Sequence, residues 1–171
     1  LIIFGTGDIA ELAHYYFTND SSYNVTAFTA DKDFISDSFF CSLPVIGFED
    51  VVNTYSPDNY DIFIALSYSK LNALRKEKYL ACKAKGYKFA SYISSHATVL
   101  SRNIGENCFI LEDNTIQPYV HIGDNVTLWS GNHIGHHSSI GSHVFISSHV
   151  VISGGVSIGQ ECFLGVNSTI R

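Results

Sequence analysis

The sequence predicts two folds in succession, an α/β domain with a parallel sheet over residues 1–93 and a parallel β-helix over residues 94–171. Three observations carry that reading. Branched aliphatic residues recur at every sixth position without a break: Ile104, Ile110, Ile116, Ile122, Leu128, Ile134, Ile140, Ile146, Ile152, Ile158, Leu164 and Ile170. A period of six belongs to neither a strand nor an amphipathic helix; it marks a solenoid whose coils are built from six-residue units. The first half has a different rhythm, with short apolar runs alternating with helical patterns, as βαβ units require. A glycine loop, Gly5-Thr6-Gly7-Asp8-Ile9-Ala10, separates the first of those runs from the first helical pattern.

Taken in order, LIIF reads as a buried strand and IAELAHYYF as the helix after it. YNVTAFT and LPVIG are further strands, followed by a short helix around EDVVNTY. YDIFIAL is a buried strand, SKLNALRKEKYLACKAKG a helix, and KFASYI leads through SSHATVLSRN into the repeats, with the domain boundary near Ser94. The glycine loop fits G-x-G-x-x-A between strand and helix, where the backbone approaches a phosphate and the helix N-terminus favours its charge. Asp31, at the end of the next strand, stands where a ribose-binding carboxylate would lie. A dinucleotide fold needs two βαβαβ halves, and about 92 residues supply little more than one. A mononucleotide or nucleotide-sugar pocket is therefore expected in preference to NAD; Asp8 would also repel a pyrophosphate placed too close. A tight turn without a ligand is the bland alternative. Ser67, Lys70, Asn72 and Arg75 follow YDIFIAL and fall at the C-terminal edge of the same sheet, as ligand contacts or as a solvated helix start.

Composition narrows the function classes. Hydrophobic residues make up 46% and charged residues 15%, which describes a folded protein with material for a core. A net charge of −6 argues against a phosphate-backbone binder, so no nucleic-acid partner is expected. No apolar run approaches the roughly 20 residues of a membrane span, and no signal peptide is visible. Cys41, Cys82, Cys108 and Cys162 form no CxxC and read as reduced structural thiols, which points to the cytoplasm. The chain starts without Met and stops at Arg171 in mid-repeat. Because solenoids need terminal caps, the expectation is that the natural protein continues or another chain covers that end.

Three six-residue units per turn make a coil of about 18 residues, so residues 18 apart stack and the repeats fill about four coils. Asn114 and Asn132 then become stacked neighbours and candidates for a side-chain amide ladder. Five of the eight histidines lie at His133, His136, His137, His143 and His149. Zinc is the first thought, but His137, His143 and His149 are six apart and point away from one another, so no metal is expected. A general base is the stronger reading, since imidazole exchanges protons near neutrality. His136 stacks between Pro118 and Gly154, small neighbours that leave room for a ligand, and Gly154 offers an amide to an oxyanion. Solvated outward-facing histidines are the alternative.

The repeats, the half-Rossmann leader with GTGDIAE, and the segment SGNHIGHHSSIG together resemble the hexapeptide-repeat sugar acyltransferases, in particular the sialic acid O-acetyltransferase and nucleotide-amino-sugar N-acetyltransferase family. The resemblance implies a Rossmann-like N-terminal domain that binds a nucleotide-linked sugar through residues such as Gly5, Gly7, Asp31, Ser67 and Lys70. It also implies a left-handed parallel β-helix, a homotrimer, and acetyl-CoA held between adjacent solenoids. Handedness comes from the resemblance alone, since parallel crossovers are usually right-handed. His136 matches the family's base, and Gly154 the glycine whose amide contacts the acetyl thioester, with Gly155 beside it. Two positions depart. His137 stands where the family has an acidic residue, and Phe145 where it has a second, acetyl-CoA-contacting histidine. Trp129 replaces a small residue and is a candidate wall for sugar or pantetheine, or a cover for a subunit contact. The implied activity is acetyl transfer from acetyl-CoA to an amine or hydroxyl of a nucleotide-linked sugar, for bacterial surface glycan synthesis. The alternatives are a non-catalytic nucleotide-sugar-binding scaffold, a metal-dependent hydratase, or, more weakly, a dehydrogenase built on the glycine loop.

Overall fold

A computed structural model describes residues 1–171, which divide into two compact units. One comprises Leu1–Ser67 and Glu77–Ala90; the other comprises Tyr68–Lys76 and Ser91–Arg171. The second stretch begins within a few residues of Ser94, but the piece Tyr68–Lys76 also groups with the repeats, which no contiguous division of the sequence anticipates.

The first unit holds β1 (Ile2–Phe4), α1 (Asp8–Asn19), β2 (Ala27–Ala30), β3 (Phe39–Phe40), β4 (Leu43–Gly47), α2 (Val51–Thr54) and β5 (Ile62–Ile64). The helix α3 (Ala73–Ala84) contains the junction between the two units. The sheet order is β3-β4-β2-β1-β5, with β4, β2, β1 and β5 parallel and β3 antiparallel at the edge. Counting only the parallel strands, the order is that of one mononucleotide-binding half, with its switch point between β1 and β5. Ile2, Phe4, Ile62 and Ile64 are buried on one face against Val51, Tyr79 and Cys82. On the other face Phe17 of α1 meets Phe63 edge-on at 5.0 Å. Continuous apolar strands of this kind are what a sheet covered on both sides needs.

In the second unit the period of six becomes a prism of three parallel sheets. One stacks Thr98–Val99, Thr115–Ile116, His133–Ile134, Val151–Ile152 and Thr169–Ile170. A second stacks Asn103–Ile104, His121–Ile122, Ser139–Ile140 and Ser157–Ile158, and the third runs from Tyr92–Ile93 to Phe163–Leu164. Register partners are 18 apart from Thr115 onward, as in Thr115, His133, Val151 and Thr169. The aliphatic residue of each unit points inward, and Ile110, Ile116, Ile122, Leu128, Ile134, Ile140, Ile146 and Ile152 are fully buried in one cluster with Cys108 and the valines two places before them.

Corners between strands explain much of what the sequence left open. Asn107, Asp113, Tyr119, Asn125, Gly131, His137, His143, His149, Gly155, Glu161 and Asn167 follow one another at intervals of six, all with φ between +54° and +78°. Left-handed backbone is uncommon outside glycine, and Asn, Asp and His are the residues enriched there. Three of the clustered histidines are therefore corner residues, placed by a backbone requirement. The same feature corrects the expected amide ladder. Asn114 donates to the Leu111 carbonyl at 2.8 Å and the Trp129 carbonyl at 2.9 Å, while Asn132 accepts from the Val150 N–H at 2.7 Å, so the two amides serve backbone groups. The side-chain ladder runs up a corner instead: Asn107 Nδ2 donates to Asn125 Oδ1 at 2.7 Å, and Asn125 Nδ2 to His143 Nδ1 at 2.9 Å.

Candidate functional site

In the first unit the glycine loop lies at the C-terminal end of β1, at the switch point. Gly5 has φ +124°, and a Cβ there would sit 2.7 Å from the Ala65 carbonyl oxygen, so the close approach of the backbone after β1 to the segment after β5 itself demands glycine. Gly7 caps α1, is exposed, and has open space where a side chain would be. Asp8, which follows, is exposed as well, and the Ala10 and Glu11 amides of the first turn of this 12-residue helix donate to the Gly7 carbonyl. Ser67 is half-buried just beyond β5, on the other side of the switch point. A cavity of about 170 Å³ beside the loop is lined by Thr6, Ser36, Asp37 and Phe39 among others. Asp31 is engaged by Lys78, whose Nζ lies 2.7 Å away, so its carboxylate already has a cation.

Lys70 is exposed in the segment that belongs to the second unit, where Lys70, Leu71 and Asn72 all have left-handed φ. Its neighbours are structural. Arg75, buried to 1% exposure, donates from Nη1 to the Asn125 carbonyl at 2.7 Å and from Nη2 to the Asn107 carbonyl at 3.2 Å. Burial lowers its guanidinium to about 10, still cationic at neutral pH. Asn72 donates to the carbonyls of Glu161 and Cys162, and Lys76 pairs with Glu161 at 2.7 Å. His143, in the middle of this corner, is held below the usual imidazole range by burial first and by the Lys76 charge second.

The opposite situation holds at the corner of His136 and His137. His136 is exposed, yet its backbone is pinned on both sides: its N–H donates to Gln117 Oε1 at 2.9 Å, and its carbonyl accepts from the Gly155 N–H at 2.8 Å. The imidazole lies against Gly154, where a Cβ would stand 2.7 Å from Cε1 and 2.8 Å from Nε2. Only glycine admits the ring. Nδ1 is 3.0 Å from His137 Nδ1, and Nε2 has no protein partner. Gly154 is exposed beside the ring and its N–H has no backbone acceptor, whereas that of Gly155 is engaged by His136. His137 stacks on Tyr119, one coil below, with centroids 4.7 Å apart. An unpaired imidazole nitrogen against a glycine whose amide lacks an acceptor offers a proton acceptor and a candidate oxyanion donor.

Sequence reading brought His136 and Gly154 together but missed Gln117 and Tyr119. Both could have been found from the coil length, since Tyr119 is 18 residues before His137 and Gln117 precedes the stacked Pro118. Phe145 belongs to a different sheet of the prism from His133–Ile134 and is nearly fully buried, with Tyr68 at 5.0 Å, Phe163 at 5.8 Å and Trp129 at 6.3 Å between ring centroids. Trp129 is half-buried, and its backbone carbonyl takes the Asn114 and Asn132 amides. No three His, Cys, Asp or Glu side chains converge on a common point, and no helix is long and apolar enough to cross a membrane.

Comparison with known proteins places this geometry in context. Residues 103–136 match the bacterial transferase hexapeptide (six repeats) family. No curated protein sequence matches the chain. Among solved structures, the acetyltransferase domain of PglB from Neisseria gonorrhoeae FA1090 superimposes with a TM-score of 0.83 at 23% identity, covering 99% of this chain and 81% of that one. A variant of perosamine N-acetyltransferase from Caulobacter crescentus, in complex with CoA and GDP-perosamine, gives 0.71 at 19% identity, over 99% and 87%. WeeI from Acinetobacter baumannii AYE gives 0.59 at 15% identity, over 99% and 92%. Residues 103–136 thus match the hexapeptide-repeat model, and the fold, a Rossmann-like α/β unit with a left-handed parallel β-helix, is similar to that of these acetyltransferase structures.

Proposed function

We propose that this protein transfers an acetyl group from acetyl-CoA to an amine or hydroxyl of a nucleotide-linked sugar, in the cytoplasm and in the service of bacterial surface glycan synthesis. The observation that carries the reading is an unpaired His136 Nε2 lying against Gly154, a residue whose own amide has no acceptor, on a backbone held from both sides. The acceptor heteroatom attacks the thioester carbonyl carbon while Nε2 takes its proton. Negative charge gathers on the carbonyl oxygen, where the Gly154 amide stabilises it by about 3 kcal/mol. Collapse of the tetrahedral species breaks the C–S bond, and the CoA thiolate leaves and regains a proton.

Solved complexes of similar fold support the substrates, since one is described with CoA and GDP-perosamine and another with acetyl coenzyme A. In this chain the loop at Gly5 and Gly7, with Ser67 across the switch point, takes the nucleotide sugar, while Asp31 is held by Lys78. A homotrimer brings acetyl-CoA between neighbouring solenoids, where Gly154 and Gly155 meet the thioester end and Trp129 the apolar arm; Phe145, expected there from the sequence, is 2% exposed beneath Tyr68 and Phe163 and makes no such contact. Screening nucleotide sugars for a mass gain of one acetyl group, dependent on acetyl-CoA, tests the reading directly. His136→Ala is expected to lower kcat by at least about 10²-fold while acceptor binding persists. Undiminished turnover in that variant removes His136 as the base.

A further inference from the structure

We propose that His137 is the positioning residue that sets the tautomer of His136, so that the base of this chain is a hydrogen-bonded imidazole pair and needs no carboxylate beside it. The inference rests on the reading of His136 as a base. The two Nδ1 atoms are 3.0 Å apart, with the rings nearly perpendicular at 86°. One proton can lie between them. If His136 donates it, Nε2 of His136 carries a lone pair and can accept a proton from the substrate. If His137 donates it, Nε2 of neutral His136 carries the hydrogen and the ring cannot act as a base there.

The surroundings favour the first arrangement. The ring edge bearing Nε2 lies beside the exposed Gly154, and no protein acceptor stands there for an Nε2 hydrogen. His137 is suited to the acceptor role because it is held independently of its partner. It occupies a left-handed corner with φ +59°, its N–H reaches the Pro118 carbonyl at 3.3 Å, and its ring stacks on Tyr119. With its own proton on Nε2, His137 presents a fixed lone pair at Nδ1. During transfer His136 becomes imidazolium and keeps the same hydrogen bond, so the pair does not reorganise as the proton arrives.

Nitrogen-15 correlation spectra of the full chain in mildly alkaline solution, where imidazoles are neutral, read the tautomers without any substrate. The His136 signals are assigned by their loss in His136→Gln. The native spectrum is expected to place the hydrogen of His136 on Nδ1 and that of His137 on Nε2. His137→Phe keeps a ring for Tyr119 but removes the nitrogen, and His137→Asn suits the left-handed corner and restores an acceptor. His136 is expected to move to the Nε2–H form in His137→Phe and to keep Nδ1–H in His137→Asn. In turnover, His137→Phe should lose about 10–10²-fold in kcat with KM little changed, and His137→Asn should recover most of it. A native spectrum with the His136 hydrogen on Nε2 overturns the proposal, even if His137→Phe does not fold. So does full turnover in a folded His137→Phe. A native protein that acetylates no nucleotide sugar removes the functional reading instead, and leaves the imidazole pair to be decided by the spectra.

Discussion

Two corners of the same prism carry the same backbone and opposite roles. At one, Asn107, Asn125, His143 and Glu161 stack at intervals of 18 with φ between +54° and +64°; at the other, Tyr119, His137 and Gly155 stack with φ between +59° and +73°. The first is closed by Asn72, Arg75 and Lys76, which take its carbonyls and its carboxylate, and its side chains bond to one another. At the second, the residue before the corner keeps a free ring nitrogen against a glycine whose amide has no acceptor. A histidine at a corner is therefore explained by conformation; one becomes a candidate for chemistry only where its polar atoms are left unanswered at the surface.

That contrast breaks most severely at the closed corner. Arg75→Ala removes a buried cation from two backbone carbonyls and should destabilise the solenoid by about 3–5 kcal/mol, read from denaturant unfolding, with a smaller loss showing that water replaces the guanidinium easily. At the open corner Gly154→Ala should leave stability nearly intact, because the clash is with a movable exposed ring and not with backbone. Displacement of His136 should nonetheless cost about tenfold or more in kcat. If turnover survives, the ring does not act from where it now lies.

The smallest effect is a pH dependence. Because burial lowers the folded-state value of His143 below the ordinary 6.5, the unfolded chain takes up the proton first on acidification. Stability contributed by neutral His143 is complete above about 6.5 and is lost as pH falls from there through the folded value. His143→Asn, which continues the amide stack without a titrating group, should flatten that part of the stability profile in unfolding curves compared between mildly alkaline and mildly acidic buffers. An unchanged slope would assign the acid sensitivity to other groups, such as Glu161, whose carboxyl is held below its usual range by the Lys76 hydrogen bond.

Much of this protein is written in local pattern. Twelve aliphatic residues at a strict period of six can be buried together only if the chain turns a corner every six residues, so the solenoid, its 18-residue coil and its inward face follow from the sequence alone. The strand–glycine–helix succession likewise dictates a parallel sheet with its loop at the strand ends. The Asn, Asp and His residues at positions 107, 113, 125, 137, 143, 149 and 167 announced left-handed corners, a signal that reading histidines as ligands obscured. What only the tertiary structure decided is which polar groups find partners. Arg75 and Asn72 look like a solvated helix start until the backbone carbonyls of Asn107 and Asn125, more than 30 residues away, come within reach of the guanidinium. Asp31 looks like a ribose ligand until Lys78 arrives from α3. Side-chain periodicity is local and survives in one dimension; the satisfaction of a hydrogen-bonding group depends on atoms brought near by the fold, and these have no fixed spacing in the chain.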